Sequence, residues 1–264
     1  MTSARLSTLA SLRGDIARLE SSPAADALKK ARLGHALADA ALHGGLAAAA
    51  VHEVFSEGHQ SAAATGFIAG LAARVAPRRP LVWVRQDFSA IEAGALSMAG
   101  LAELGLDPRA LVSVHAADAE GALRIAADAL ACDAVGAVVL EVWGEARSFD
   151  LVASRKLTLT AQASGATGLL LRIAAKPSPS TAETRWIVRA AHSPPAARFA
   201  AWGAPVFDAE LARNRHGPVG RWIMEWKCDE CLFAEPAAYS QPVAAAPAHR
   251  PHPAQTVRRQ RRAG

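Results

Sequence analysis

The sequence predicts a doubly wound, mostly parallel α/β sheet flanked by helices, and three observations predict it. From about residue 51 the chain alternates between short β-rich runs, turn-forming loops and helical stretches. One run, Val135 to Val142, is apolar apart from Glu141 near its end, as suits a strand covered on both faces. At 264 residues the chain is long enough to bury one such core, or one core and a small appendage.

The N-terminal segment, residues 1–45, reads as helical. Leu6, Leu9, Leu12, Ile16 and Leu19 recur at steps of three and four, with Arg5, Arg13, Asp15 and Arg18 between them. Ser21, Ser22 and Pro23 end that helix, and a second helical stretch runs through Leu28, Leu33 and Leu37. Residues 46–235 form the core and its extension. A strand from Val51 to Phe55 is followed by a loop, Ser56 to Ser61, and a small-residue helix, Ala62 to Val75. Pro80 introduces the strand Leu81 to Val84, and one helix is expected over Ala90 to Leu104. Strand Leu111 to Val114, helix Glu120 to Ala131 and strand Val135 to Val142 follow, then helix Leu151 to Ser164 and strand Thr167 to Ile173.

After Ile173 the rhythm changes. Lys176 to Ser180 is a Pro/Ser loop, and Arg185 to Ala190 reads as a strand that extends the sheet antiparallel. Asn214 to Gly220 has turn chemistry. It leads into the strand Arg221 to Trp226, with Trp222 and Trp226 on one face and Ile223 and Glu225 on the other. The tryptophan-bearing side is expected to be exposed. Residues 236–264 hold Ala, Pro, His, Gln and Arg without periodicity, the composition of a disordered tail.

Charge is unevenly placed. Lys plus Arg is 29 and Asp plus Glu is 24, giving +5, yet the last acid is Glu235. Beyond it stand Arg250, Arg258, Arg259, Arg261 and Arg262, so the chain up to residue 235 is neutral. The net charge therefore points to the tail, for weak nonspecific DNA contact, docking on an acidic partner or simple solubility, and not to the body. The tail lacks interleaved aromatics and so has no stacking platform for single strands. No apolar run reaches the roughly 18 residues of a spanning helix, and no signal-peptide pattern opens the chain. A cytoplasmic protein without membrane contact is expected. Three cysteines make no disulfide framework in such a compartment. Cys132 is expected in the core. Cys228 and Cys231 form a lone CxxC, half of a zinc site whose missing ligands neither His192, His216, His249 nor His252 supplies at the usual spacing. No metal is expected, and the absence of GxSxG leaves hydrolase chemistry without support.

The order of elements over 51–190 resembles the RecA-type ATPase core. The stretches VHEVFSEG (51–58), PLVWVRQD (80–87), AVVLEVWG (137–144), TAETRWIVRAA (181–191) and RNRHGPVGRWIMEW (213–226) narrow that resemblance to the ImuA-type proteins, RecA-like accessory members of bacterial mutagenesis cassettes. The last two are the more specific, since a generic RecA core lacks them. The resemblance spans about residues 5 to 235.

A working phosphate loop reads GxxxxGK[ST]: glycines let backbone N–H groups wrap the phosphates, Lys neutralises them, and a hydroxyl holds the metal. Here Ser56 and Ser61 stand for the two glycines, Ala62 for the lysine and Ala63 for the hydroxyl, while Glu57 adds a negative charge. Thr65 can be slid toward the hydroxyl position, but no lysine comes with it, and the next basic residue is Arg74. Glu141 falls at the Walker-B position and Asp87 near the activating glutamate of RecA, read as structural remnants, with a metal held by these two acids alone as the other reading. No catalytic residue and no cofactor is expected.

The resemblance implies an accessory role in SOS-induced translesion synthesis. The partners it implies are an ImuB-type inactive Y-family polymerase homologue and an error-prone replicative-type DNA polymerase, with RecA as a further one. Trp222, Trp226, Arg258, Arg259, Arg261 and Arg262 are the candidate contacts. Two alternatives remain at this point: an SOS cell-division inhibitor or RecA modulator, and a nucleotide-dependent recombinase-like ATPase.

Overall fold

A computed structural model of the chain describes residues 29–194 and 203–236. The helix expected over Leu6 to Leu19 and the tail with Arg258, Arg259, Arg261 and Arg262 lie outside these residues.

Strand β1 (Lys30–Ala31) pairs antiparallel with β2 (Leu46–Ala47), and helix α1 (Ala36–Ala41) lies between them in sequence. Strand β3 (Val51–Ser56) opens the main sheet, a 3-10 turn at Gly58–Gln60 follows, and α2 (Ser61–Val75) runs back along it. Next come β4 (Leu81–Gln86), α3 (Asp87–Ala93), α4 (Met98–Glu103), β5 (Leu111–Ala116) and α5 (Ala119–Leu130). Then β6 (Ala137–Trp143), α6 (Leu151–Ser164) and β7 (Thr167–Ile173) complete the α/β part. Four further strands follow: β8 (Thr184–Ala190), β9 (Val206–Asn214), β10 (Gly220–Lys227) and β11 (Leu232–Ala234).

The sheet order is β11-β10-β9-β8-β3-β7-β6-β4-β5. From β8 to β5 every neighbouring pair is parallel, and β9, β10 and β11 are added antiparallel. Strands β3 and β7 are buried along their whole length and β6 along all but Trp143. The largely apolar sequences of β6 and β7 suit this, while β3 buries His52 and Glu53 with hydrogen-bond partners. One face is covered by α2, whose Phe67, Ile68 and Leu71 pack with Trp83, Trp186, Trp226 and Phe233. The opposite face carries Ala122, Ala126 and Leu130 of α5 and Leu157 and Ala161 of α6. Each such large side chain contributes about 1.5–3 kcal/mol on burial.

Gly70 marks the tightest helix-to-sheet approach. A Cβ there would lie 2.7 Å from Phe233 Cζ and 3.0 Å from Trp226 Cε3. The small-residue helix read from the sequence is thus a helix that must sit close under two aromatic rings.

Several expectations are corrected. Strand β8 is parallel to β3, and the antiparallel part begins one strand later, at β9. The helix expected over Ala90 to Leu104 is two helices, broken where Gly94 takes φ 78 and Ser97 Oγ accepts from Gly100 N to cap α4. The second N-terminal helical stretch is reduced to α1, preceded by β1. Cys132 is exposed just beyond α5 rather than in the core. Strands β9 and β11 were not expected at all.

Candidate functional site

The C-terminal ends of β3, β4, β6 and β7 define the edge where a ligand crevice forms in an open parallel sheet. Strand β3 reaches it at Ser56, whose side chain is buried. Glu57 follows, exposed and 3.5 Å from His59 Nδ1. Helix α2 starts at Ser61 with Ala62 and Ala63 in its first turn. Gln60, at its cap position, makes no side-chain bond to the helix, and its Oε1 instead accepts from Ala190 N at 2.8 Å. Trp143, from the end of β6, closes over the turn: a Cβ on Gly58 would lie 3.0 Å from its Cζ2. The strand-turn-helix geometry expected here is present, with Ser56, Glu57, His59 and Gln60 along it and an indole against its glycine.

The two acids expected at this edge have different settings. Glu141 is fully buried within β6, not free at its end. The Arg85 Nη2 lies 2.8 Å from its Oε1, an ionic contact off the axis of a hydrogen bond, and Trp83 Nε1 donates to its Oε2 at 3.0 Å. Arg85 and Glu141 are direct partners in the β4–β6 register, and their side chains are 3% and 0% exposed. The guanidinium also donates to the carbonyls of Gly94 (2.7 Å) and Ser89 (3.4 Å). Asp87 opens α3 and is exposed, with its carboxylate 3.3 Å from His115 Nδ1. The structure therefore does not bring Asp87 and Glu141 together as a metal-holding pair: one carboxylate is neutralised inside the sheet and the other meets a histidine on the surface.

Arg85 was not singled out in the sequence. The available signal was a single base in LVWVRQ and a single acid in AVVLEVW, both in otherwise apolar strands. A second buried carboxylate was also missed. Glu53 Oε2 accepts from Ser180 Oγ and Arg185 Nε, both at 2.9 Å. Close by, burial pushes the Arg172 pKa down against the pull of Glu53 and Glu145, and its guanidinium lies 4.1 Å from the centre of the Phe149 ring. The Glu53–Arg185 ion pair ties β3 to β8.

The strand expected to expose its tryptophans is corrected. Trp226 is fully buried, its Nε1 donating to Leu104 O at 3.1 Å, and Trp222 is half-buried against the same core. Both sit with Met224 on the face of the sheet that packs with α2, where Trp226 and Met224 are fully covered and Trp222 partly so. The solvent side of β10 carries Arg221 and Ile223 instead. Arg221 Nε donates to Asp208 Oδ1 at 2.6 Å across the β9–β10 ladder, and that hydrogen bond is the main cause of the lowered Asp208 pKa. Cys228 and Cys231 are both free thiols in the turn that follows. Among the described residues no group of three or more His, Cys, Asp or Glu is arranged to hold a metal ion. No helix of the described residues is long and apolar enough to cross a membrane.

A mostly parallel sheet with α2 on one face, α5 and α6 on the other, and a strand-turn-helix junction at its C-terminal edge is the layout of a RecA-like α/β protein. No family model matches the chain. It is 32% identical over 197 residues to Protein ImuA from each of two strains of Caulobacter vibrioides, spanning 69% of this chain and 77% of those proteins. The chain belongs to the ImuA family.

Proposed function

We propose that this chain is a non-catalytic RecA-like adaptor in SOS-induced, error-prone translesion DNA synthesis. Membership of the ImuA family supports the pathway. One structural observation carries the non-catalytic part. The carboxylate at the expected metal-holding position, Glu141, is consumed by Arg85 inside the sheet, beside a junction that has Ala62 and Ala63 where a cation and a hydroxyl are needed. Phosphoryl transfer depends on positioned positive charge and a metal at the γ-phosphate. This edge supplies neither the lysine nor an available buried carboxylate.

The adaptor acts through protein contacts with an inactive Y-family polymerase homologue of the ImuB type and with an error-prone replicative-type polymerase. The docking elements are the solvent side of β10, where Ile223 and Arg221 are exposed, and the Arg258, Arg259, Arg261 and Arg262 segment. The segment also provides weak, salt-sensitive contact with DNA. The protein works in the cytoplasm. ATP turnover by the purified full chain with Mg²⁺ and single-stranded DNA tests the non-catalytic reading. Phosphate release at the level of a no-protein blank supports it, and sustained turnover that disappears in Glu141→Gln overturns it.

A further inference from the structure

Lys227 and Leu232 are paired across the β10–β11 hairpin, so Cys228 and Cys231 open and close the turn between them. Both are free thiols and both are half-buried. Cys231 takes a left-handed φ of 50°, and its thiol donates to the Cys228 carbonyl at 3.4 Å. The two side chains therefore share one tight turn with no element between them.

The same turn walls a cavity of about 330 Å³ between the C-terminal end of α2 and the loop after α4. Cys231 lines it beside Gly105 and Leu106, Arg78 and Arg79 stand on the α2 side, and Asp107 is the one acid in the lining. Gly105 has φ +90, and a Cβ there would fall 2.3 Å from Cys231 Sγ. The bare glycine is what lets the sulfur reach the cavity wall.

We propose that Cys228 and Cys231 are a reversible dithiol–disulfide pair, oxidised by small anionic disulfides that enter the Arg78/Arg79 cavity. The Cys231 thiolate attacks one sulfur of the incoming disulfide. A bond forms from Cys231 to that sulfur, the incoming S–S bond breaks, and one small thiolate leaves and takes up a proton. Cys228 then loses its proton to solvent and attacks the Cys231 sulfur, forming the Cys228–Cys231 bond and releasing the second small thiol. Two protein thiols are oxidised and one small disulfide is reduced to two thiols. Burial, the leading cause, and Asp229 push the Cys228 pKa up, so the second step quickens as pH rises above neutral.

The turn is well placed to report its own state. Arg74 joins it to the N-terminal part, donating to Cys231 O at 3.1 Å and to Arg32 O at 2.7 Å. Closing the disulfide draws the Cys231 sulfur off Gly105 and loosens the contact between the hairpin and α4. This chemistry does not depend on the adaptor reading, and its failure would leave that reading untouched.

The test uses the full chain, with oxidised glutathione as the anionic probe and 2-hydroxyethyl disulfide as a neutral one, read by intact mass and peptide mapping. The expected product lacks two hydrogens, maps to a Cys228–Cys231 bridge and returns to the dithiol with dithiothreitol. Cys228→Ser should stop at a mixed disulfide on Cys231. An Arg78→Ala/Arg79→Ala variant should react with the anionic probe roughly three- to tenfold more slowly and with the neutral probe at the original rate. Reaction confined to the exposed Cys132, or a folded Cys228→Ser chain that leaves Cys231 unmodified, overturns the pair. Equal slowing of both probes in the arginine variant overturns the proposed entry route.

Discussion

The Arg85 guanidinium lies 2.8 Å from the Glu141 carboxylate, on neighbouring parallel strands, with both side chains almost wholly withdrawn from water. Desolvation makes such a pair a modest source of net stability, but it makes either partner costly to leave alone. Arg85→Ala strands a buried carboxylate and should destabilise the chain by about 3–5 kcal/mol. Arg85→Met/Glu141→Leu removes both charges and should recover most of that loss. Urea midpoints of the single and double variants check this. A single variant as stable as the parent would mean that water reaches the pair.

Gly70→Ala separates helix propensity from packing. Alanine gains up to about 1 kcal/mol in an exposed helix. At Gly70, however, the new Cβ meets Phe233 and Trp226 at 2.7 and 3.0 Å, and overpacking of this kind costs about 1–3 kcal/mol. Thermal unfolding should show a net loss, with the near-ultraviolet tryptophan signal altered. A gain in melting temperature would place α2 further from the β10–β11 hairpin.

Acid should weaken the fold through His52. Full burial pushes its pKa from the usual 6.5 down to about 4, opposed only by the hydrogen bond to Ala47 O. The partners fix the neutral ring: Nε2–H donates to Ala47 O at 2.8 Å, and Nδ1 accepts from Thr184 Oγ1 at 2.8 Å. The unfolded chain therefore binds a proton between pH 6.5 and 4 that the folded chain does not. Stability from this group is complete above pH 6.5 and falls as pH drops toward 4, by up to about 3 kcal/mol. His35, whose pKa burial also lowers, adds with the same sign. Urea midpoints taken from pH 7.5 to 4.5 should fall more steeply for the parent than for His52→Gln.

Much of the architecture was legible in the sequence because local pattern and final burial agree. Helix Leu151–Ser164 and strand Thr167–Ile173 fall where apolar periodicity placed them, and the junction from β3 into α2 begins within a residue of expectation. Strand β9 was not legible. Its VFDAELARN carries helix-favouring Ala, Glu, Leu and Arg, and pairing overrides them: Asp208 meets Arg221, and Glu210 lies 3.6 Å from Arg189. The direction of β8 was hidden too, since its own residues look the same whether β3 runs beside it parallel or antiparallel.

The site shows the same division. Ala62 and Ala63 in the first turn of α2 can be read from the local sequence alone. The partner of Glu141 could not, because Arg85 is 56 positions away and meets it only through strand register. For β10 the alternation was correct and the buried side was not: Trp222 and Trp226 share a face, and that face is the one closed by α2.

Under the non-catalytic reading, placing a lysine and a threonine at the start of α2 should not produce turnover. In Ala62→Lys/Ala63→Thr a cation and a hydroxyl are supplied, yet Glu141 stays bound to Arg85 and Trp143 still lies against Gly58. Phosphate release with ATP and Mg²⁺ should stay at the blank level. Turnover in this variant would show that the Arg85–Glu141 pair opens readily enough to serve a metal.

The adaptor reading is tested most directly by affinity purification of the tagged chain from DNA-damaged cells, with nuclease treatment and mass spectrometry of the bound proteins. The account predicts recovery of an inactive Y-family polymerase homologue together with a replicative-type error-prone polymerase, both reduced when the segment from residue 236 onward is removed and Ile223 is changed to Asp. Recovery of RecA alone, or of a cell-division protein, would contradict it while leaving the fold as described.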